Sequence, residues 1–201
     1  MLGSSTDGAF GHIALGSVTA QLLHSAHVPV ALAPRGFRGR PGGTVRRVTV
    51  AFGGTEEARS LVLACARVAA QVGASLRLAA FAVWSRPAYT MRLGTDSEDA
   101  VLGEWLTEIR DSAMSALAEA RRFPDVPSDL DAVVGIGDTW EEAFDDVEWD
   151  DGDVLAVGSS ALGPGSRVFL GSTGTKIVRS SPVPVVVVPR SAIESLAERP
   201  A

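Results

Sequence analysis

An internal repeat with an offset of 155 residues constrains this chain more than any other feature. Shifted by that amount, "LGSSTDGAFGHIALGSVTAQLLHSAHVPVALAPR" (2–35) lies without a gap on "VGSSALGPGSRVFLGSTGTKIVRSSPVPVVVVPR" (157–190). Gly3, Ser4 and Ser5 fall on Gly158, Ser159 and Ser160, and Leu15, Gly16 and Ser17 on Leu170, Gly171 and Ser172. Ser25, Val28, Pro29, Val30, Pro34 and Arg35 fall on Ser180, Val183, Pro184, Val185, Pro189 and Arg190. Self-similarity at a fixed offset means one structural unit used twice. Any fold must therefore place a Gly/Ser loop, a helix and an apolar strand at both ends of the chain.

The segment between the copies alternates strand and helix patterns. "RGFRGRPGG" (35–43), broken by Pro41, reads as a flexible linker. "RRVTVAF" (46–52) and "SLRLAAFAV" (75–83) are strand-like; between them Ala58, Leu61, Val62, Cys65, Val68, Ala69 and Val72 form one helical stripe stopped by Gly73. A loop with Pro87 and Gly94 leads to a long helix from about Ser97. Then come "LDAVVGI" (130–136), a short acidic helix near 139–148, "DVLAV" (153–157), a helix from Gly171, and "VPVVVV" (183–188). This alternation predicts an α/β fold with a doubly wound, five-stranded, mostly parallel sheet, its apolar last strands buried on both faces. In such sheets ligands sit beyond the carboxyl ends of strands where the strand order reverses, and the loop after Val157 lies at one such end.

Composition narrows the function classes. A net charge of −6 opposes nucleic-acid binding, which needs a basic surface. Neither a basic-plus-apolar leader nor an apolar run of membrane-spanning length is present, so a cytoplasmic, membrane-free location is expected. The single cysteine, Cys65, reads as a small core residue. His12, His24 and His27 lack carboxylate or thiol partners at ligand spacing and read as surface histidines rather than metal ligands. "EEAFDDVEWDD" (141–151) reads as the solvated face of an amphipathic helix. Ser159 stands in no Gly-x-Ser-x-Gly context, and no residue is assigned a catalytic role; the chain is expected not to be an enzyme.

The order of elements, the loop and the repeat together resemble the universal stress protein family, over residues 45–190 as one complete module. Gly158, Gly171, Ser172 and the final "PVPVVVVPR" match the family's C-terminal signature of Gly, two residues, Gly, nine residues, then Gly with Ser or Thr. The resemblance implies an adenine nucleotide alpha hydrolase-like fold, a stress-response role, and an adenine-nucleotide (ATP) site at Gly158, Ser159, Ser160, Gly171, Ser172 and Thr173. The chemistry of the loop suits phosphate. Gly158 allows close backbone approach, Ser159 and Ser160 offer hydroxyls, and the helix beginning at Gly171-Ser172-Thr173 presents free N–H groups; Arg167 or Lys176 would add charge. The same residues also suit a plain strand-to-helix turn with Ser172 as N-cap. Two departures degrade the implied site: Ala161 stands where the signature has its second glycine, and Gly53 stands where ATP-binding members carry an aspartate for the nucleoside. A module that keeps the fold without the ligand and acts through its last strand is the alternative.

Residues 2–35 resemble the last loop, helix and strand of a second such module, so the chain divides into this fragment (1–35), a linker (36–44), the complete module (45–190) and a tail (191–201). The fragment is too small to bury a core alone. The last strand of the complete module is a long apolar edge of the kind soluble proteins cover, and family members use it to dimerise. "VPVALA" (28–33) is therefore expected to pair antiparallel with 183–188, imitating within one chain the self-association of two.

Overall fold

A computed structural model describes residues 2–4, 9–39, 41–84, 95–159 and 170–197. The N-terminal copy supplies β1 (Leu2–Gly3), α1 (Ser17–Ser25) and β2 (Val30–Ala33). The remainder supplies β3 (Arg47–Ala51), α2 (Glu56–Val72), β4 (Ser75–Val83), α3 (Thr95–Ala120), β5 (Leu130–Gly137), α4 (Trp140–Asp145), β6 (Asp153–Gly158), α5 (Ser172–Ser180), β7 (Val185–Val188) and α6 (Arg190–Ala197). One sheet runs in the order β1-β2-β7-β6-β3-β4-β5. Every neighbouring pair is parallel except β2 and β7. The five expected strands are joined by two from the N-terminal copy, where the sequence pattern predicts only one. The extra strand, β1, is two residues long, too short to leave a periodic signal.

Local chemistry accounts for the element boundaries. α2 starts at Thr55, whose side chain accepts from the Ala58 amide at 3.2 Å, and stops at Gly73, which adopts the left-handed conformation at φ 70°. Its stripe is buried at Leu61, Val62, Ala64, Cys65, Ala66 and Ala69, but Val72 is 54% exposed because the last turn projects past the packed face. Burial pushes the Cys65 thiol up to about 12, which leaves it protonated and inert. α4 is closed by a capping box in which Thr139 and Glu142 satisfy each other's backbone amides. Its Ala143 and Phe144 turn inward while Glu141 and Glu142 stay exposed, as the amphipathic pattern requires.

Two apolar layers cover the sheet. One joins α2, α3 and α6 to the strands through Val50, Leu61, Leu78, Leu117 and Ile193. The other holds Phe144, Leu155, Val157, Ile177, Val178, Val185 and Val187 together with Ile13, Leu23 and Leu32 of the N-terminal copy. Leu32, only 1% exposed, fastens that copy to the sheet, and burial of this kind contributes roughly 1.5–3 kcal/mol per leucine.

The antiparallel pairing expected between 28–33 and 183–188 is present over three residues: Val30 faces Val187, Ala31 faces Val186 and Leu32 faces Val185. Residues 191–201, set apart as a tail, contribute most of α6, which packs on α2. A charged cluster lies at the amino ends of the strands, away from the loop after β6. Asp153, 3% exposed, receives Arg47 at 2.6 Å and Arg77 at 3.6 Å, and Arg77 lies 4.9 Å over the Trp149 ring. Desolvation lowers the Arg77 pKa, while the hydrogen bond to Asp153 raises that of Arg47.

Candidate functional site: the crevice between β3 and β6

The chain leaves β3 for β4 and β5 on one side of the sheet and returns to β6 and β7 on the other. Strand order therefore reverses between β3 and β6, and the carboxyl ends of these two strands diverge into a crevice of about 330 Å³. Its β3 side is Ala51, Gly53 and the start of α2, with Thr55, Glu57, Ala58 and Leu61; its β6 side is Val157, Gly158 and Ser159. Gly174 and Ile177 of α5 and Ile193 of α6 complete the wall. A second hollow of about 430 Å³ opens on the other side of Gly53, between Phe52, Phe81 and Trp105.

Of the residues assigned to the site from sequence, Gly158 and Ser159 line the crevice. Gly171, Ser172 and Thr173 stand at the start of α5 beside it without lining it, and Ser172 and Thr173 are exposed. Ser160, Ala161 and Arg167 lie outside the described residues, and Lys176 points to solvent. The N-cap of α5 is Gly171, not Ser172, and it makes no side-chain cap bond. A hydroxyl one position inside the helix is past the reach of the capping geometry, so the first-turn amides of α5 carry no side-chain cap.

Thr55, Glu57, Leu61, Gly174, Ile177 and Ile193 escaped the sequence assignment because they reach the crevice only through strand pairing and helix packing. Two glycines explain how open it is. A Cβ built on Gly158 meets nothing closer than Leu61 Cδ2 at 3.5 Å, and one built on Gly53 meets nothing within 4 Å. Among the described residues, neither glycine is required by packing.

Electrostatically the mouth is mixed. Glu57 is fully exposed, and hydrogen bonding from its own backbone amide, then from the Thr55 hydroxyl, holds its carboxyl below the usual range; Arg190 adds a smaller attraction. The Ser159 side chain, 9% exposed, accepts a hydrogen bond from the Arg190 amide at 3.2 Å. His12 and His27 are exposed and remote from these residues in the chain.

Residues 44–189 match the family model described as the universal stress protein family. The chain belongs to the universal stress protein family. Universal stress proteins of Mycobacterium tuberculosis and Mycobacterium bovis are each 37% identical to it over 190 residues, which is 94% of this chain and 63% of theirs. The chain thus spans less than two thirds of the length of these relatives. Among solved structures, a universal stress protein from Archaeoglobus fulgidus superposes with a TM-score of 0.56 at 24% identity, covering 94% of this chain and 61% of that one. Universal stress protein UspA from Lactobacillus plantarum gives 0.50 at 17% identity, over 73% of this chain and 99% of that one. These superpositions establish the fold alone: a universal stress protein sheet with helices on both faces.

Proposed function

We propose that this universal stress protein is a cytoplasmic, non-enzymatic stress-response binding protein whose β3/β6 crevice takes an adenine nucleotide such as ATP weakly. The phosphates lie against Gly158 and Ser159 and the start of α5 at Gly171, Ser172 and Thr173, with Ser160 next in the sequence. One observation carries this: the first turn of α5, without a side-chain cap, stands beside a glycine at which, among the described residues, an added side chain would meet only Leu61 at ordinary contact distance. Free amides and the positive end of a helix favour an anion, and a glycine lets the backbone approach it. Weakness follows from Gly53, which offers no carboxylate to the nucleoside. Calorimetric titration with millimolar ATP tests the proposal. Heat that disappears in Ser172→Ala and grows in Ala161→Gly supports it; no heat and no thermal shift leave a ligand-free interaction module instead.

We further propose that residues 1–35 are the C-terminal fragment of a first module, joined by 36–44 to the complete module 45–190, and that the β2–β7 seam imitates a dimer within one chain. Support comes from the register. After the 155-residue shift, Val30 facing Val187 and Leu32 facing Val185 exchange places, with Ala31 and Val186 at the centre. That is the self-complementary pairing a two-fold axis produces.

A further inference from the structure

The crevice lacks a counter-charge for phosphate. Among its described lining residues the one ionisable group is Glu57, an exposed carboxylate, and an anion seated at Gly158 and Ser159 would feel its repulsion. The compensating cation stands just outside the wall. Arg190 is the first residue of α6, and its amide donates to Ser159 Oγ at 3.2 Å. That bond uses one lone pair of the serine oxygen and leaves the hydroxyl hydrogen to donate elsewhere. The neighbouring Ile193, 5% exposed, forms part of the crevice wall and holds α6 in place.

The side chain of Arg190 pairs with one carboxylate and lies within electrostatic reach of a second. Its Nε pairs with Glu194 Oε1 at 3.2 Å, with both groups more than half exposed, and its charge reaches Glu57. An exposed pair of this kind holds its partners loosely. The placement is also costly for the helix, because a cation in the first turn opposes the positive end of the helix dipole. Residues kept against a local preference are candidates for a role. α6 begins next to residue 189, where the match to the family model ends.

We infer that Arg190 is the specificity-determining cation of the β3/β6 crevice: it turns from Glu194 to the phosphates of a bound nucleotide, while its backbone amide orients Ser159 to donate to the same group. This rests on the nucleotide site proposed above. Ligands with the same base and no phosphate gain nothing from Arg190, so the residue discriminates between phosphorylated and unphosphorylated nucleosides.

Parallel titrations of the full chain with ATP and with adenosine at low ionic strength test this, in the parent protein and in Arg190→Gln, Arg190→Lys and Glu194→Gln. Loss of one charge-assisted contact lowers ATP affinity about tenfold. Arg190→Gln is expected to show that loss with adenosine affinity unchanged, Arg190→Lys to recover most of it, and Glu194→Gln to raise ATP affinity by freeing the guanidinium. An unchanged ratio of ATP to adenosine affinity in Arg190→Gln overturns the role of Arg190 while leaving the nucleotide site standing. A parent protein that binds neither compound overturns the site and Arg190 together. A thermal melt of each variant separates loss of contact from loss of fold.

Discussion

The two ends of this chain share one local structure and differ in what lies against it. α1 and α5 coincide residue for residue under the 155-residue shift, with extended glycine N-caps at Gly16 and Gly171. Their ends coincide too: the Ala26 amide reaches Leu22 O and the Ser181 amide reaches Ile177 O. Even the parallel register is the same, since Leu2 faces Leu32 and Gly3 faces Ala33 as Val157 faces Val187 and Gly158 faces Val188. Burial separates them. Ile177 and Val183 are each 8% exposed, whereas their counterparts Leu22 and Val28 are 43% and 66% exposed. Phe144 and Leu155, from α4 and β6, pack in the cluster that holds Ile177 and Val183; α1 enters that cluster through Leu23, while Leu22 stays outside it. The same serine is also used differently: Ser4 Oγ accepts from the Ala14 amide at 2.7 Å, Ser159 Oγ from Arg190. Equal sequence thus secures equal backbone, and burial is conferred by elements encoded elsewhere.

Four experiments break or sharpen that comparison. Deleting residues 1–43 has the largest expected effect, because it strips β2 from β7 and leaves an apolar edge open. Sedimentation should then show dimers or aggregates, and a shortened chain that stays monomeric and equally soluble would mean the seam is incidental. Next, Ile177→Ala should cost about 2–4 kcal/mol in urea unfolding while Leu22→Ala costs under about 1 kcal/mol. Equal losses would show that the two helices are covered alike. Smaller again, Val183→Thr should cost about 1–2 kcal/mol for a buried hydroxyl, against about zero for Val28→Thr at its exposed counterpart. The smallest effect in free energy is functional: Ser17→Ala should leave ATP affinity untouched, where Ser172→Ala takes this weak binding below detection. In the same titration Gly53→Asp, for which the structure has open space, should raise affinity severalfold.

Much of the fold was legible because it rests on short-range signals. Periodicity, the Gly73 stop and the unbroken apolar strands marked the order of elements, and the repeat pointed to the β2–β7 pairing. The candidate site was legible only just past the strand ends, at Gly158 and Ser159 and, as a departure from the family pattern, at Gly53. Its other walls come from α2, α5 and α6, which pattern reading places in sequence but not around a crevice. The Arg77–Asp153 pair was invisible for the same reason. An arginine inside "SLRLAAFAV" reads as an exposed strand position until a carboxylate from β6, carried in by pairing, meets it at 3.6 Å. Ser172 was misplaced by one position, because Gly171 and Ser172 both suit a helix start and only backbone angles decide between them.

By itself, then, the amino-acid order determined the family, the strand and helix alternation and the two-fold use of one loop-helix-strand unit, since each depends on neighbours a few residues apart or on likeness between segments. Tertiary structure alone decided which positions of each copy are buried, which glycines border empty space and that Arg190 stands beside Ser159. Those facts depend on residues far apart in the chain being brought within a few ångströms, and no local pattern carries that distance.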